Sequence, residues 1–167
     1  MDFKNYVFRI TNALLGAEFI PSRFRVVLMR WVGYDVSPDT KAIWSGSSFL
    51  SKRVHIEAGA FINNGFYYDG FDQLTICKNV HIAPFVKIIT GSHEISIDPT
   101  LRASAAPIWA PVVIEEGCWI GTGSIILPGV SIRRGCVIGA NATVTRSTEP
   151  HGLYVGSPAR RIRDLPS

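Results

Sequence analysis

Aliphatic side chains recur every six residues through the second half of the chain. The run begins within VVIEEGCWIGTGSIILPGVS and continues without a slip at Ile114, Ile120, Ile126, Ile132, Ile138 and Val144. A glycine or asparagine stands at a fixed offset after each aliphatic residue but the last, and a small or compact residue follows it directly. A period of six fits neither a helix, at about 3.6 residues per turn, nor a plain alternating strand, at about 2. It predicts short strands joined by tight turns, which is the pattern of a parallel β-helix.

Three such hexapeptides would form one triangular coil, and successive coils would stack at about 4.8 Å, the strand spacing of a sheet. This register places Cys118 and Cys136 one above the other with their side chains inside the prism. We therefore expect both to be buried structural thiols, whereas Cys77 and Trp119 should face outward. The same spacing is visible upstream, at Ile56, Ile62, Ile76, Ile82 and Ile88.

Two interruptions of the period predict loops. The interval from Ile62 to Ile76 is longer than two repeats, which places an insertion near residues 66–73. The interval from Ile88 to Ile114 is much longer than one repeat. It predicts an extended loop over residues 94–111 that leaves the prism directly after His93.

The N-terminal segment has a different spacing. Its apolar side chains follow a helix-like period, and Pro21 suits the first turn of a second helix. Open coils expose strand edges, so both ends of a β-helix need covers. We expect one domain with three segments: a short helical cap at residues 1–34, the β-helix at 35–155, and a basic C-terminal tail at 156–167 that covers part of the far end. The basic residues of the cap leave a second role open, contact with the inner face of a membrane, through Arg23, Arg25 and Arg30.

Composition narrows the class of protein. Of 167 residues, 47% are hydrophobic and 18% are charged, which is typical of a globular chain. No apolar run reaches the ~20 residues that cross a membrane. The first residues lack the basic and apolar series of a secretory signal, so we expect a cytoplasmic protein. The three cysteines form no CxxC pair and no zinc-finger spacing, which indicates free thiols.

The net charge of +4 is unevenly distributed. Six arginines lie near the C-terminus: Arg133, Arg134, Arg146, Arg160, Arg161 and Arg163. Taken alone, this cluster fits nucleic acid, an acidic membrane face, a phosphate-rich small molecule or a solvated surface.

Two long stretches resemble the hexapeptide-repeat acyltransferases. They are NVHIAPFVKIITGSHEI, ending at Ile95, and PVVIEEGCWIGTGSIILPGVSIRRGCVIGANATVTRSTEPHGLYVGSPARRIR, ending at Arg163. The sequence is most similar to galactoside, maltose and nodulation-factor O-acetyltransferases and to acetyltransferases of polysaccharide biosynthesis, over roughly residues 36–163. The resemblance implies an all-β-dominated fold, a left-handed parallel β-helix, assembled as a homotrimer. It also implies active sites between subunits, with acetyl-CoA bound in the groove between neighbouring prisms.

His93 occupies the place of the family's catalytic histidine, at the end of the third face of a coil. Acyl transfer to a sugar hydroxyl needs a base of near-neutral pKa, and histidine, with a reference pKa of about 6.5, supplies one. His93 would take the acceptor proton and later give it to the departing thiolate. Glu94 is a candidate for orienting the imidazole, although neighbours in an extended chain point to opposite sides, and it is equally readable as an exposed loop carboxylate.

The resemblance extends to binding residues. Asn63 in FINNG matches an asparagine near the family's acceptor, and Asp69 in FYYDGFD suits sugar hydroxyls. Asparagine is also an ordinary turn residue, and aspartate an ordinary loop residue. CoA carries phosphates, so it explains the basic tail better than nucleic acid does. The implied cofactor residues are Trp119, Thr122, Ala140, Thr145, Arg146, Arg160 and Arg163.

The leading hypothesis is an acetyl-CoA-dependent O-acetyltransferase of a saccharide, in surface polysaccharide biosynthesis. An amino-sugar N-acetyltransferase or a serine or antibiotic acetyltransferase on the same fold is the alternative. A γ-carbonic-anhydrase-like metal enzyme needs a third matching histidine beside His81 and His93, which is missing, so no metal is expected. A non-catalytic scaffold would not predict both His93 and the terminal arginines. The sequence carries no Walker loop, Rossmann motif or RNA-binding signature, so no nucleic-acid partner is expected.

Overall fold

The structure, a computed structural model, describes residue 10 and residues 12–167. Residues 12–16 are helical, and a helix α1 spans Ser22–Trp31. The part of the N-terminal cap predicted at residues 1–9 and 11 lies outside the described residues. The strands of the first three coils are, in order, β1 Asp35–Val36, β2 Ala42–Ile43, β3 Ser48–Phe49, β4 Val54–Ile56, β5 Phe61–Ile62, β6 Tyr67–Tyr68, β7 Leu74–Ile76, β8 His81–Ile82 and β9 Lys87–Ile88.

A hairpin separates the third coil from the fourth. Its two strands are β10 Gly91–His93 and β11 Pro107–Trp109. The remaining strands are β12 Val112–Ile114, β13 Trp119–Ile120, β14 Ile125–Ile126, β15 Ser131–Ile132, β16 Val137–Ile138, β17 Thr143–Val144, β18 Gly152–Val155 and β19 Arg160–Asp164.

The strands stack into three parallel sheets, which are the faces of a triangular solenoid. The first face has the order β1-β4-β7-β12-β15, the second β2-β5-β8-β13-β16-β18, and the third β3-β6-β9-β14-β17. We name the turn from the second to the third face the second corner, and the turn from the third face to the next coil the third corner. The predicted mostly-β fold with parallel coils is confirmed.

The interior of the solenoid is the hydrophobic core. Every aliphatic residue of the six-residue period lies inside it and is almost fully buried. Adjacent coils place identical positions in register, so that Ile114 pairs with Ile132 and Ile120 with Ile138. Cys118 and Cys136 are both buried and free, as predicted, while Cys77 is half-buried and Trp119 is 57% exposed. Burial raises the pKa of the Cys118 thiol to about 12.

The second coil corrects one predicted boundary. The insertion expected near residues 66–73 begins only after Tyr68. Phe66 and Tyr68 are fully buried, and Tyr68 pairs with Ile88 on the third face. An aromatic ring therefore takes the inward place that aliphatic residues hold in later coils. The Tyr68 hydroxyl reaches the carbonyl oxygen of Arg53 at 2.7 Å, which satisfies its polar end inside the prism.

Helix α1 covers the open end of the first coil. Its inward residues Arg25, Val26 and Met29 are buried. The prediction that Arg25 belongs to an exposed basic face is wrong, because its guanidinium donates to the carbonyl oxygens of Ile43 at 2.8 Å and Ala17 at 2.7 Å, and to those of Leu15 and Ile20. A buried charge is tolerated when its donors are satisfied in this way.

The C-terminal tail lies at the far end of the solenoid. Strand β19 runs antiparallel to β18 and becomes the outermost strand of the second face. Among the residues that the structure describes, no helix is long and apolar enough to cross a bilayer.

Candidate active site

A β-hairpin arm, residues 91–109, leaves the solenoid at the third corner of the third coil. Strands β10 and β11 pair antiparallel, with Gly91 opposite Trp109 and His93 opposite Pro107. The sequence predicted that the chain departs directly after His93. It departs two residues earlier, at Gly91, so His93 belongs to the arm itself and its side chain is exposed.

The carbonyl oxygen of Ala105 orients the imidazole of His93. It lies 3.2 Å from His93 Nδ1, across the arm. A carbonyl only accepts hydrogen bonds, so this contact places the proton of neutral imidazole on Nδ1 and leaves the lone pair of Nε2 free. That tautomer is the one a general base requires. The sequence could not have identified Ala105, because its contribution comes from the backbone.

Glu94 does not orient His93. The described residues show no hydrogen bond between its carboxylate and the imidazole, and its backbone amide donates to the carbonyl oxygen of Ala106 at 3.1 Å. Glu94 is an exposed residue of the arm, as the second interpretation of the sequence expected.

The carboxylate of Asp69 holds the base of the arm. It accepts hydrogen bonds from the backbone amide of Thr90 at 2.9 Å, from the amide of Gly91 at 3.1 Å and from the Thr90 hydroxyl. Thr90 is fully buried, and its hydroxyl oxygen in turn accepts the backbone amide of Asp72 at 3.0 Å. Both oxygens of Asp69 are thus engaged two to three residues before His93, an arrangement suited to positioning the arm, and its acceptor-binding role stays a prediction.

Two aromatic rings flank the point where the arm leaves the prism. Phe71 and Trp109 stack with ring centroids 6.4 Å apart and planes inclined by 19°. A Cβ atom on Gly91 would lie 2.5 Å from the Phe71 ring, so only glycine lets the arm pass beneath it. The aromatic pair and the glycine fix the direction in which the arm leaves the prism.

Asn63 lies on the second corner of the second coil, away from the arm. Its backbone amide donates to the carbonyl oxygen of Ile82 at 3.0 Å, and its side-chain oxygen accepts the amide of Asn64 at 2.9 Å. The arm that carries His93 leaves the prism at the third corner. One face, about six residues at roughly 3.3 Å each, separates the two corners. The described residues show no hydrogen bond between Asn63 and His93.

Four of the predicted cofactor residues divide between the same two corners. Thr122 and Ala140 are exposed at equivalent places on the second corner of adjacent coils. This corner is tight, since a Cβ atom on Gly121 would lie 2.7 Å from the amide nitrogen of Ala140. Thr145 and Arg146 are exposed on the third corner, on the same side of the prism as the arm. Small side chains thus leave the second corner as a shallow strip along the solenoid.

Arg160 and Arg163 lie on β19, at the end of the second face, and are exposed. Arg161, between them, is engaged with Asp164 at 2.7 Å. Trp119 projects from the same face, in register with His81 and Val137. The described residues contain no cluster of three or more side chains able to hold a metal ion.

Known proteins share this repeat architecture. The sequence profile described as "Hexapeptide repeat of succinyl-transferase" matches residues 111–146. The chain belongs to the hexapeptide-repeat proteins. The matched coils include Trp119, Thr122, Ala140, Thr145 and Arg146, whereas His93 lies outside them.

Relatives of this hexapeptide-repeat protein include named acetyltransferases. A provisionally assigned acetyltransferase of Schizosaccharomyces pombe is 39% identical over 112 residues, 67% of this chain and 53% of that protein. The galactoside O-acetyltransferase of Lactococcus lactis is 34% identical over 121 residues, 71% of this chain and 58% of that protein. The chain therefore spans a little over half the length of these relatives.

A solved structure matches nearly the whole chain. The hexapeptide-repeat-containing acetyltransferase of Vibrio cholerae, in complex with acetyl coenzyme A, has a TM-score of 0.75 and 28% identity, with 99% of this chain and 91% of that chain covered. A structure of similar fold thus holds the ligand that the sequence predicts for this chain.

Proposed function

We propose that this protein is an acetyl-CoA-dependent O-acetyltransferase that acts on a saccharide hydroxyl in the cytoplasm, with His93 as the general base. The observation that carries the proposal is the hydrogen bond from His93 Nδ1 to the carbonyl oxygen of Ala105, which leaves Nε2 free to accept a proton on an exposed arm. The acetyl coenzyme A complex of the Vibrio cholerae protein supports the donor, and the Lactococcus lactis galactoside O-acetyltransferase supports a sugar acceptor.

The chain's residues account for the proton in this reaction. His93 Nε2 takes the proton of the acceptor hydroxyl as its oxygen bonds to the acetyl carbonyl carbon. The same nitrogen returns the proton to the sulfur as the thioester C–S bond breaks. Atoms and charge balance, and the imidazole ends neutral in the tautomer that Ala105 favours.

The residues present also fit acetyl-CoA. The shallow strip at Thr122 and Ala140 suits the thin pantetheine arm, and Arg160 and Arg163 offer guanidinium groups to its phosphates. When bound, acetyl-CoA supplies the activated acetyl group.

We infer that the working site forms between copies of the chain in a homotrimer. Asn63 and His93 lie on different corners of one prism, whereas a base must come within about 3.2 Å of the proton that it removes. The arm also exposes apolar side chains, including Ile95 and Ile97, the latter 96% exposed. A neighbouring prism that covers these residues would bring its second corner to His93.

The test is release of thiol from acetyl-CoA with a panel of sugars, nucleotide sugars, amino sugars and serine. His93→Ala should lower turnover by about 10² to 10⁴, the usual contribution of a general base, with nearly unchanged CoA affinity. His55→Ala is the matched control, because His55 lies on the first face, bound to Asp35 at 2.7 Å. Activity of His93→Ala within a few-fold of the wild type would place the base elsewhere. Failure to bind CoA would reject the transferase and favour a scaffold.

A further inference from the structure

Helix α1 is apolar on its outward side as well as on its buried side. Phe24, Val27 and Trp31 lie three and four residues apart, so they share one face of the helix, and they are 54%, 56% and 82% exposed. We name these three residues the outer stripe. The opposite side of the helix already fills the end of the prism through Val26 and Met29. The outer stripe therefore contributes nothing to the core that the described residues form.

Two arginines border the outer stripe on the same side. Arg23 and Arg30 are seven residues apart, two helical turns, and both are exposed. They line a groove of about 320 Å³ that continues to Pro38 and Thr40 on the first coil. The helix carries no acidic residue between Ser22 and Trp31. Its surface thus combines aromatic rings with positive charge that no carboxylate of the same helix neutralises.

We propose that the outer stripe and its two arginines form a docking surface for an anionic lipid bilayer. The helix would lie in the plane of the interface, with Phe24 and Trp31 at the boundary between headgroups and acyl chains and Arg23 and Arg30 at the lipid phosphates. This arrangement is typical of amphipathic interfacial helices, and tryptophan is enriched at the depth of the headgroups. A length of ten residues suits such a surface position and not a crossing.

Charge favours the bilayer over a second copy of the same surface. A two-fold contact would bring each surface against itself, so that the four arginines would face helices that carry no acidic residue. Anionic headgroups instead neutralise each guanidinium. The surface is independent of His93 and of the proposed reaction, so its test does not depend on activity.

The experiment is co-sedimentation of the full chain with vesicles of phosphatidylcholine alone or with about 30% phosphatidylglycerol, at low salt. Wild type should sediment with the anionic vesicles only. Arg23→Gln with Arg30→Gln should weaken binding about 25-fold, about fivefold for each charge removed. Phe24→Ser with Trp31→Ser should weaken it at least about tenfold.

Arg160→Gln with Arg163→Gln is the charge-matched control. It also removes two positive charges, but from the other end of the solenoid, and should leave vesicle binding unchanged. All the altered side chains are exposed, so each variant should remain folded, and unfolding curves verify this.

Two results would overturn the proposal. Loss of vesicle binding only in the Arg160 and Arg163 variant would place the membrane contact on the C-terminal tail. Absence of vesicle binding, with a change of oligomeric state in the Phe24 and Trp31 variant, would assign the outer stripe to contact between copies.

Discussion

Asp69→Asn is the substitution that best separates the position of the β-hairpin arm from the chemistry proposed for His93. The wild-type carboxylate accepts three hydrogen bonds from Thr90 and Gly91, at the point where the arm leaves the prism. An asparagine can accept through one oxygen only, and its amino group faces donors. About one or two buried donors would then lack an acceptor, at about 1–3 kcal/mol each. We expect a loss of about 3 kcal/mol in the free energy of unfolding and a fall in Tm of about 6–12 °C.

The effect on turnover should exceed what instability explains. A displacement of about 1 Å in a catalytic group can lower the rate about 10²-fold. We expect kcat of Asp69→Asn to fall by about that factor, while KM for acetyl-CoA stays within about threefold because the predicted cofactor residues lie on other coils. Asp72→Asn is the matched control, since within residues 12–167 the side chain of Asp72 accepts only the backbone amide of Gln73, at 2.7 Å, which an asparagine can also accept.

A double-mutant cycle with His93→Ala tests the route of this effect. If Asp69 acts through His93, Asp69→Asn should lower kcat little further once His93 is gone. Full additivity of the two losses would refute the positioning role, as would wild-type kcat in Asp69→Asn. Hydrogen exchange of the arm amides gives an independent measure, and exchange should accelerate in the variant from Gly91 onward.

Three further measurements examine the tail, the core and the coil ladder. Arg160→Ala should raise KM for acetyl-CoA with kcat retained, and should weaken the salt dependence of CoA binding; an unchanged KM would remove Arg160 from the phosphate site. A thiol reagent should label Cys77 slowly, because burial raises the pKa of this half-buried thiol, and should label the buried Cys118 and Cys136 only after denaturation; fast labelling of all three would contradict the packed interior. Burial alone would raise the pKa of Glu115, but hydrogen bonds from the Arg133 side chain and the Arg134 backbone amide lower it. This carboxylate therefore stabilises the fold at pH values above the ordinary glutamate pKa of about 4.3. That contribution is lost as pH falls through the lowered pKa. The stability difference between wild type and Glu115→Gln, measured by denaturant unfolding, should therefore shrink with acidification, and a constant difference from pH 7 to pH 3 would contradict the shift.

The regular coils were predictable from the sequence because their side chains repeat. A period of six fixes which residues point inward, so the burial of Cys118 and Cys136 and the exposure of Trp119 could be predicted. The prediction failed at Tyr68, because an aromatic residue in an inward position does not continue the aliphatic period. The hydroxyl of Tyr68 is satisfied by the carbonyl oxygen of Arg53, on the same coil. Arg25 was misassigned for a related reason, because a basic side chain satisfied by backbone oxygens cannot be told from an exposed one by spacing.

The candidate site was only partly predictable. The position of His93 before a long interruption of the period indicated a functional histidine, but not that it lies two residues along the arm. The group that orients it is a backbone oxygen, which no residue type encodes. The role of Asp69 depends on Thr90, 21 residues further on, which stacks above it only once the coils are formed.

The arm has a consequence for how this protein can change over time. Stacked positions on the first face are separated by 18 residues between Ile114 and Ile132, but by 38 between Ile76 and Ile114, because the arm lies between the two coils. The entropy of closing a loop grows only with the logarithm of its length, about 0.6 kcal/mol for each doubling. Lengthening or shortening the arm therefore hardly affects the stability of the solenoid. Evolution can therefore vary the residues beyond His93 almost independently of the coils. In the proposed reaction, such changes would alter the choice of acceptor and leave the predicted cofactor residues in place.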